Sequence, residues 1–440
     1  MPRREPLIIE PLAGPVDALV PLPGSKSITN RALVCAALAE GHSDLRHALR
    51  ADDTMAMVQG LKALGIELAG EAEPDGGFDD RWQVTGCGGR PPAELALIDA
   101  RLSGTTSRFL LPVAALSAGT VRVDGGLPLR ARPMGPSIDA LRALGASVTE
   151  AGAPGHLPVD ITGGPSTGGA VTVPGDASSQ FLSGLLLAAP ATRTGVTIRL
   201  EGALVSRPYV EMTIAVMAAF GIRVDRPDER TWRVEPQTYR GAELRIEPDA
   251  SAASYAFAVA AVVGGTVRVD GLGTGSLQGD IAFVDRLERM GVRVERSARG
   301  TTVTSSGQLH GIDADMSQIS DTAQTLAVVA AFADGPTRVT GIGFIRRKET
   351  DRIAAVVTEL RRAGIEATEE PDGFVVHPGP IRPATIETYD DHRMAMSFAL
   401  LGLRAPGIRI ADPACVAKTF PRYWSLLDDV RAGRLPPARH

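Results

Sequence analysis

The chain carries 46 basic residues, and only four are lysines: Lys26, Lys62, Lys348 and Lys418. Where arginine supplies nearly every cation, a retained lysine points to a position that needs a compact ammonium rather than a planar fork. Three of the four lie in polar clusters: P-G-S-K-S-I-T-N-R (residues 23–31), R-R-K-E-T-D-R (346–352) and A-K-T-F-P (417–421). Lys62 falls late in an ordinary amphipathic helix. In the first cluster Arg31 follows Ser27 by one helical turn, so Lys26, Ser27 and Arg31 can face one ligand. Gly104, Thr105 and Arg108 repeat that spacing, and the glycine admits close approach to the backbone. Arg132 in L-R-A-R-P, then Ser178, Ser179 and Gln180, then Ser206 and Tyr209 in V-S-R-P-Y add cations and hydroxyls, the groups that hold phosphate and carboxylate. The second half sets acids beside cations: Asp321, K-E-T-D-R with Lys348, Glu349, Asp351 and Arg352, D-D-H-R-M-A-M with Asp391, His392 and Arg393, and Lys418. That mixture suits proton transfer on an anionic substrate, with acids moving protons and cations holding negative charge.

Most of these clusters open one of six nearly all-apolar segments, which start at Ser25, Ser103, Ala177, Asp249, Ser320 and Asp390. A helix apolar all round is buried. Its N-terminus offers free backbone N–H groups and the positive end of the dipole, which suit an anion. A lone Ser or Asp there is a plain cap; Lys, Arg, Gln and His added beside the caps exceed what capping requires. A second element alternates with the first: a helix end, a glycine and a hairpin, at residues 61–68, 141–148, 217–224, 287–294 and 360–367. In each the glycine follows the helical apolar period, as a residue just past a helix end does. The copies lie about 70–80 residues apart, too far for a solenoid, and read as repeats of a small α/β module. Three modules in each half predict two similar domains, with chain crossings near residues 21–25 and 240–246. A first strand at residues 7–10 fits the second half.

At 440 residues the chain exceeds one ordinary core. Its 44% hydrophobic and 22% charged residues are those of a globular enzyme. A net charge of −5, a pI near 5.9 and 4% aromatics argue against a nucleic-acid module. Cys35, Cys87 and Cys415 are widely spaced and odd in number, which indicates neither a disulfide framework nor a zinc site. The basic N-terminal residues lack a following apolar stretch, so no signal peptide is expected. No apolar run reaches the roughly 18 residues of a membrane span. The expected compartment is the cytoplasm.

L-P-G-S-K-S-I-T-N-R-A, D-A-S-S-Q-F-L-S-G-L, K-E-T-D-R, D-H-R-M-A-M and K-T-F-P occur in that order and cover nearly the whole chain. Together they resemble the 5-enolpyruvylshikimate-3-phosphate synthase family of enolpyruvyl transferases. The resemblance implies an α/β fold of two β/α-prism lobes, each of three βαβαββ units, with a substrate cleft between them. Residues 1–24 and 241–440 would form the lobe that binds phosphoenolpyruvate and carries the catalytic acids; residues 25–240 would form the shikimate 3-phosphate lobe. It also implies transfer of an enolpyruvyl group from phosphoenolpyruvate to the 5-hydroxyl of shikimate 3-phosphate, by a monomer without cofactor or metal. Matched by motif, Lys26, Ser27, Arg31, Ser178, Ser179, Gln180, Ser206, Tyr209, Asp321 and Lys348 would bind shikimate 3-phosphate. Lys26, Gly104, Arg132, Gln180, Arg352, Arg393 and Lys418 would hold phosphoenolpyruvate. Asp321, Glu349 and Lys26 would be catalytic, with Asp321 taking the hydroxyl proton and Glu349 serving the methylene carbon.

The chain departs from the family pattern at Leu102 and Phe344, where Asn is frequent, and at Phe109, where Pro is common. Gly104 implies sensitivity to glyphosate, because an alanine would crowd the phosphoenolpyruvate site. The rival reading is the sister transferase acting on UDP-N-acetylglucosamine, which carries a reactive cysteine on a mobile loop. Cys35 inside an apolar helix and Cys87 in a T-G-C-G-G turn do not fit that role.

Overall fold

The computed structural model describes residues 5–73, 77–164, 168–176 and 178–438. The chain divides into two compact units, Gly24–Glu247 and a discontinuous unit of Met1–Pro23 with Pro248–His440. Ala177, which belongs to the D-A-S-S-Q motif, lies outside the described residues.

Each unit repeats one arrangement. A strand leads into a buried helix, and the next strand returns beside the first in parallel. In the Gly24–Glu247 unit, Leu95–Asp99 pairs in parallel with Thr120–Asp124 across the Gly104–Ala114 helix. Gly169–Pro174 pairs likewise with Val196–Glu201 across Ser179–Ala188. In the other unit Asp313–Asp315 pairs with Thr337–Thr340, and Ala384–Ile386 with Ile408–Ile410. An amphipathic helix and an antiparallel hairpin then extend the sheet. At the five predicted turns Gly65, Gly145, Gly221, Gly291 and Gly364 have φ of 86°, 91°, 83°, 97° and 85°. This is the left-handed region in which a Cβ is strained, and it explains why glycine recurs. In the last module the N-terminal strand Leu7–Ile8 takes the hairpin's place and runs antiparallel to Ile408–Ile410.

The first module of each unit borrows its leading strand. Val16–Leu19 precedes the Lys26–Leu38 helix in sequence but pairs in parallel with Gly265–Asp270. Glu243–Arg245 precedes the Ala250–Val263 helix but pairs in parallel with His42–Arg46. Where residue 241 was the expected boundary, residues 241–247 pack with Gly24–Glu247, because among the described residues Glu243–Arg245 is the parallel partner of His42–Arg46 while Val16–Leu19 pairs elsewhere.

The six apolar segments form buried helices, and their first turns hold the polar clusters. Ser25, Ser103, Ser178, Asp249 and Asp391 each accept a backbone N–H one turn in, as N-caps. The Ala323–Ala330 helix begins differently, with a 3-10 turn at Ser320–Thr322 and no side-chain cap, which leaves the Asp321 carboxylate for other partners. In Ser179–Ala188, burying Phe181, Leu182, Leu185, Leu186 and Leu187 contributes about 1.5–3 kcal/mol each, so the core fixes where the polar first turn points.

Candidate active site

In the Gly24–Glu247 unit the starts of the Gly104–Ala114 and Ser179–Ala188 helices are tied together by side chains. Gly184 lets the Ser179–Ala188 helix approach the Gly104–Ala114 helix so closely that a Cβ there would collide with the carbonyl oxygen of Arg108. That contact brings Arg108 Nη1 within 2.7 Å of Gln180 Oε1, while Gln180 Nε2 donates to Thr105 Oγ1 at 3.1 Å. Arg108 also lies over the Phe181 ring and donates to the Pro133 carbonyl. Arg132 is buried beside it, and a Cβ added at Gly104 would lie 2.9 Å from Arg132 Nη1. Lys26, the first residue of its helix, pairs with Asp53 Oδ2 at 3.3 Å. Ser179 is buried beside its capping neighbour Ser178.

Arg31 is almost wholly buried. Its Nε donates to Thr213 Oγ1 at 2.7 Å, Nη1 to the Ser27 carbonyl at 2.8 Å and Nη2 to the Tyr209 carbonyl at 3.1 Å. Burial pulls its guanidinium down to about 10. These bonds tie the Lys26–Leu38 helix to Pro208–Ala219, so Arg31 supports Ser27 and Tyr209 as well as offering charge. Ser206 holds a φ of 53°, rare for a residue with a side chain, and its carbonyl accepts Tyr209 N at 3.1 Å. Arg130, the first arginine of L-R-A-R-P, instead pairs with Asp124 at the surface.

In the second unit Arg352 is the hub. It is 1% exposed and donates to Asp391 Oδ2 at 2.7 Å, Glu349 Oε2 at 2.8 Å and Asp321 Oδ1 at 3.1 Å. Burial opposes its charge, but the carboxylates of Asp391, Glu349 and Asp321 outweigh burial and hold the guanidinium protonated well above its ordinary range. Arg393 Nη2 donates to Asp321 Oδ2 at 2.7 Å, and Lys348 Nζ lies 3.7 Å from Asp321 Oδ1. Lys418 Nζ donates to Glu349 Oε1 at 2.9 Å. Lys348, Arg352, Arg393 and Lys418 thus pair with Asp321, Glu349 and Asp391 in a largely buried cluster, and the Asp390 carboxyl interacts with Lys418 at its edge. Asp351 stands apart: it caps the Arg352–Arg362 helix and pairs with Arg346.

Asp321, Lys348, Glu349, Arg352, Arg393 and Lys418 therefore assemble within one unit. Lys26, Ser27, Arg31, Gly104, Arg132, Ser178, Ser179, Gln180, Ser206 and Tyr209 lie in the other. Asp53, Ser183 and Thr213 were not singled out on sequence. Asp53 reads there as an ordinary first-turn acid of Asp52–Ala63, and the other two as polar interruptions of apolar helices.

The family model described as EPSP synthase (3-phosphoshikimate 1-carboxyvinyltransferase) matches residues 12–427. The chain belongs to the EPSP synthase family. Among similar relatives, the 3-phosphoshikimate 1-carboxyvinyltransferase of Nostoc punctiforme is 46% identical over 418 residues, covering 95% of this chain and 97% of its own. That of Methanosphaerula palustris is 45% identical over 417 residues, covering 94% and 97%. The solved EPSP synthase from Acinetobacter baumannii superposes with a TM-score of 0.81 at 26% identity, over 97% of this chain and 98% of that one. The enolpyruvyl transferase NikO from Streptomyces tendae shares the fold, with a TM-score of 0.77 at 20% identity over 97% of each chain. The chain is thus an α/β transferase of the EPSP synthase family, and these relatives are not named for the nucleotide-sugar reaction. No helix among the described residues is long and apolar enough to cross a membrane.

Proposed function

We propose that this chain transfers the enolpyruvyl group of phosphoenolpyruvate to the 5-hydroxyl of shikimate 3-phosphate and releases phosphate. The observation that supports this most is the buried cluster in which Asp321 and Glu349 share the cations Lys348, Arg352, Arg393 and Lys418. An anionic substrate that takes over those cations leaves the two carboxylates with fewer opposite charges, which raises their affinity for protons. Glu349 then delivers a proton to the methylene carbon, leaving cationic character on the adjacent carbon. The 5-hydroxyl oxygen bonds to that carbon, and its proton goes to Asp321. From the tetrahedral adduct Glu349 removes a proton from the new methyl group while the carbon–oxygen bond to phosphate breaks. The leaving phosphate carries the electron pair, and Lys26 and Lys418 meet its charge.

Lys26, Ser27, Arg31, Ser178, Ser179, Gln180, Ser206, Tyr209, Asp321 and Lys348 serve shikimate 3-phosphate in this reading. Lys26, Gly104, Arg132, Gln180, Arg352, Arg393 and Lys418 serve phosphoenolpyruvate. The enzyme acts as a cytoplasmic monomer, with acid–base chemistry that calls on no cofactor.

Phosphate release from phosphoenolpyruvate, run with shikimate 3-phosphate and in parallel with UDP-N-acetylglucosamine, tests the reading. Release only with shikimate 3-phosphate is expected, and Glu349→Gln should slow it by at least about 100-fold. Release only with the nucleotide sugar overturns the substrate, and release with neither overturns the reaction.

A further inference from the structure

The turn that delivers Asp391 is strained. Tyr389 and Asp390 are consecutive non-glycine residues with φ of 55° and 56°. Tyrosine rarely adopts this region and aspartate adopts it as a single residue, so two in a row persist only where neighbouring contacts over-determine the conformation. Besides the bond from Asp391 N to the Thr388 carbonyl inside the turn, the Arg352–Arg362 helix grips it at two points. At its start, Arg352 Nε binds Asp391 Oδ2 at 2.7 Å. Two turns further along, Glu359 accepts the Tyr389 hydroxyl at 2.7 Å and the Glu387 backbone N–H at 3.0 Å. Glu359 is fully buried, with Arg362 Nε 3.0 Å from Oε2. Tyr389 is 39% exposed, so its hydroxyl is anchored while much of its ring meets solvent. Burial pushes the Glu359 carboxyl up, with the Tyr389 hydroxyl and Glu387 N–H acting against that rise. A carboxylate is kept in this costly place where uncapped backbone and a strained turn need an acceptor. Beyond the turn, Asp391 accepts Arg393 N at 2.9 Å, and Arg393 reaches Asp321.

We propose that Glu359 and Tyr389 are positioning residues: they latch the 387–391 turn in its left-handed conformation, so that Asp391 fixes Arg352 and Arg393 for the phosphoenolpyruvate anion. The proposal rests on the reading of those two arginines as phosphoenolpyruvate ligands. At about 1.5 Å rise per residue Glu359 lies about 10 Å along the helix from Arg352, so it acts through the turn.

Steady-state kinetics of the full chain, with KM taken separately for each substrate, test this in four variants beside melting curves. Tyr389→Phe removes only a hydroxyl from a half-exposed ring. It should raise KM for phosphoenolpyruvate about tenfold, the effect of one lost charge-assisted hydrogen bond, and leave KM for shikimate 3-phosphate within about twofold. Glu359→Gln keeps one of two acceptors and should fall between Tyr389→Phe and the parent. Tyr389→Asn also lacks the hydroxyl but tolerates positive φ, so it should lose less than half as much as Tyr389→Phe. Arg393→Lys reports on the underlying reading and should raise the same KM. If Arg393→Lys raises it and Tyr389→Phe does not, the latch is overturned and the arginine reading stands. If Arg393→Lys leaves it unchanged, the arginine reading fails and the latch falls with it. Equal losses in Tyr389→Phe and Tyr389→Asn, or a fall in kcat and Tm with both KM values unchanged, also overturn the proposal.

Discussion

Gly104 and the buried arginines beside it set the room available at one helix start. A Cβ at residue 104 would meet Arg132 Nη1 at 2.9 Å and Arg108 Nη1 at 3.5 Å, the far ends of flexible side chains. Gly104→Ala should therefore move Arg132 rather than break the fold, and stability should change by less than about 1 kcal/mol. Glyphosate should inhibit the parent at roughly micromolar levels in competition with phosphoenolpyruvate, and the alanine variant at least tenfold more weakly. A parent indifferent to millimolar inhibitor would refute this. The cysteines give a second residue-scale prediction. Burial pushes the Cys35 and Cys415 thiols up to about 12 and raises Cys87 as well. Because the thiolate is the nucleophile, iodoacetamide at about pH 8 should label the folded protein far more slowly than the denatured chain. Mass spectrometry showing rapid modification of Cys35 in the fold would contradict it. Thiols that burial keeps protonated agree with the sequence reading that neither Cys35 nor Cys87 is a reactive loop cysteine.

At the scale of elements, the recurring helix–glycine–hairpin was legible because it rests on local rules. Each of the five glycines adopts positive φ, and the apolar period before it ends there. Around Gly221 an added Cβ meets nothing closer than Arg240 Cγ at 3.7 Å, so space is available and the backbone alone resists. Gly221→Ala should cost about 1–2 kcal/mol, read as a lower midpoint in urea with an unchanged slope. A neutral effect would mean that the turn relaxes out of the left-handed region. The six buried helices were equally legible from composition. What composition could not supply was the pairing of their first turns. Arg108 meets Gln180 only because Gly184 permits close packing, and Lys26 meets Asp53 because a second helix starts nearby. Arg31 shows the same limit: its motif marks it as a ligand-facing cation, and packing makes it a tie between helices.

At the scale of the whole molecule, Gly24–Glu247 is continuous and holds its own core, which runs from Ile28 to Ile246. Residues 24–247 expressed alone should fold and unfold cooperatively, as followed by circular dichroism. A fragment ending at residue 240 lacks Glu243–Arg245, which leaves the His42–Arg46 edge unpaired, so it should melt lower and aggregate. Equal stability of the two fragments would show that the borrowed strand contributes little. Local periodicity and capping chemistry, both encoded within about a dozen neighbouring residues, determined the modules, their count and the polar residues at each helix start. Motif order along the chain then indicated the family. Tertiary structure alone decided that leading strands are exchanged at the crossings, which moved the boundary from residue 241 to Pro248. It also decided that Asp321, Glu349 and Asp391, as many as 70 residues apart (391 − 321), share one arginine. The reason is physical: a parallel pairing or a buried ion cluster joins residues distant in sequence, and its energy depends on distances and burial that no local stretch of sequence contains.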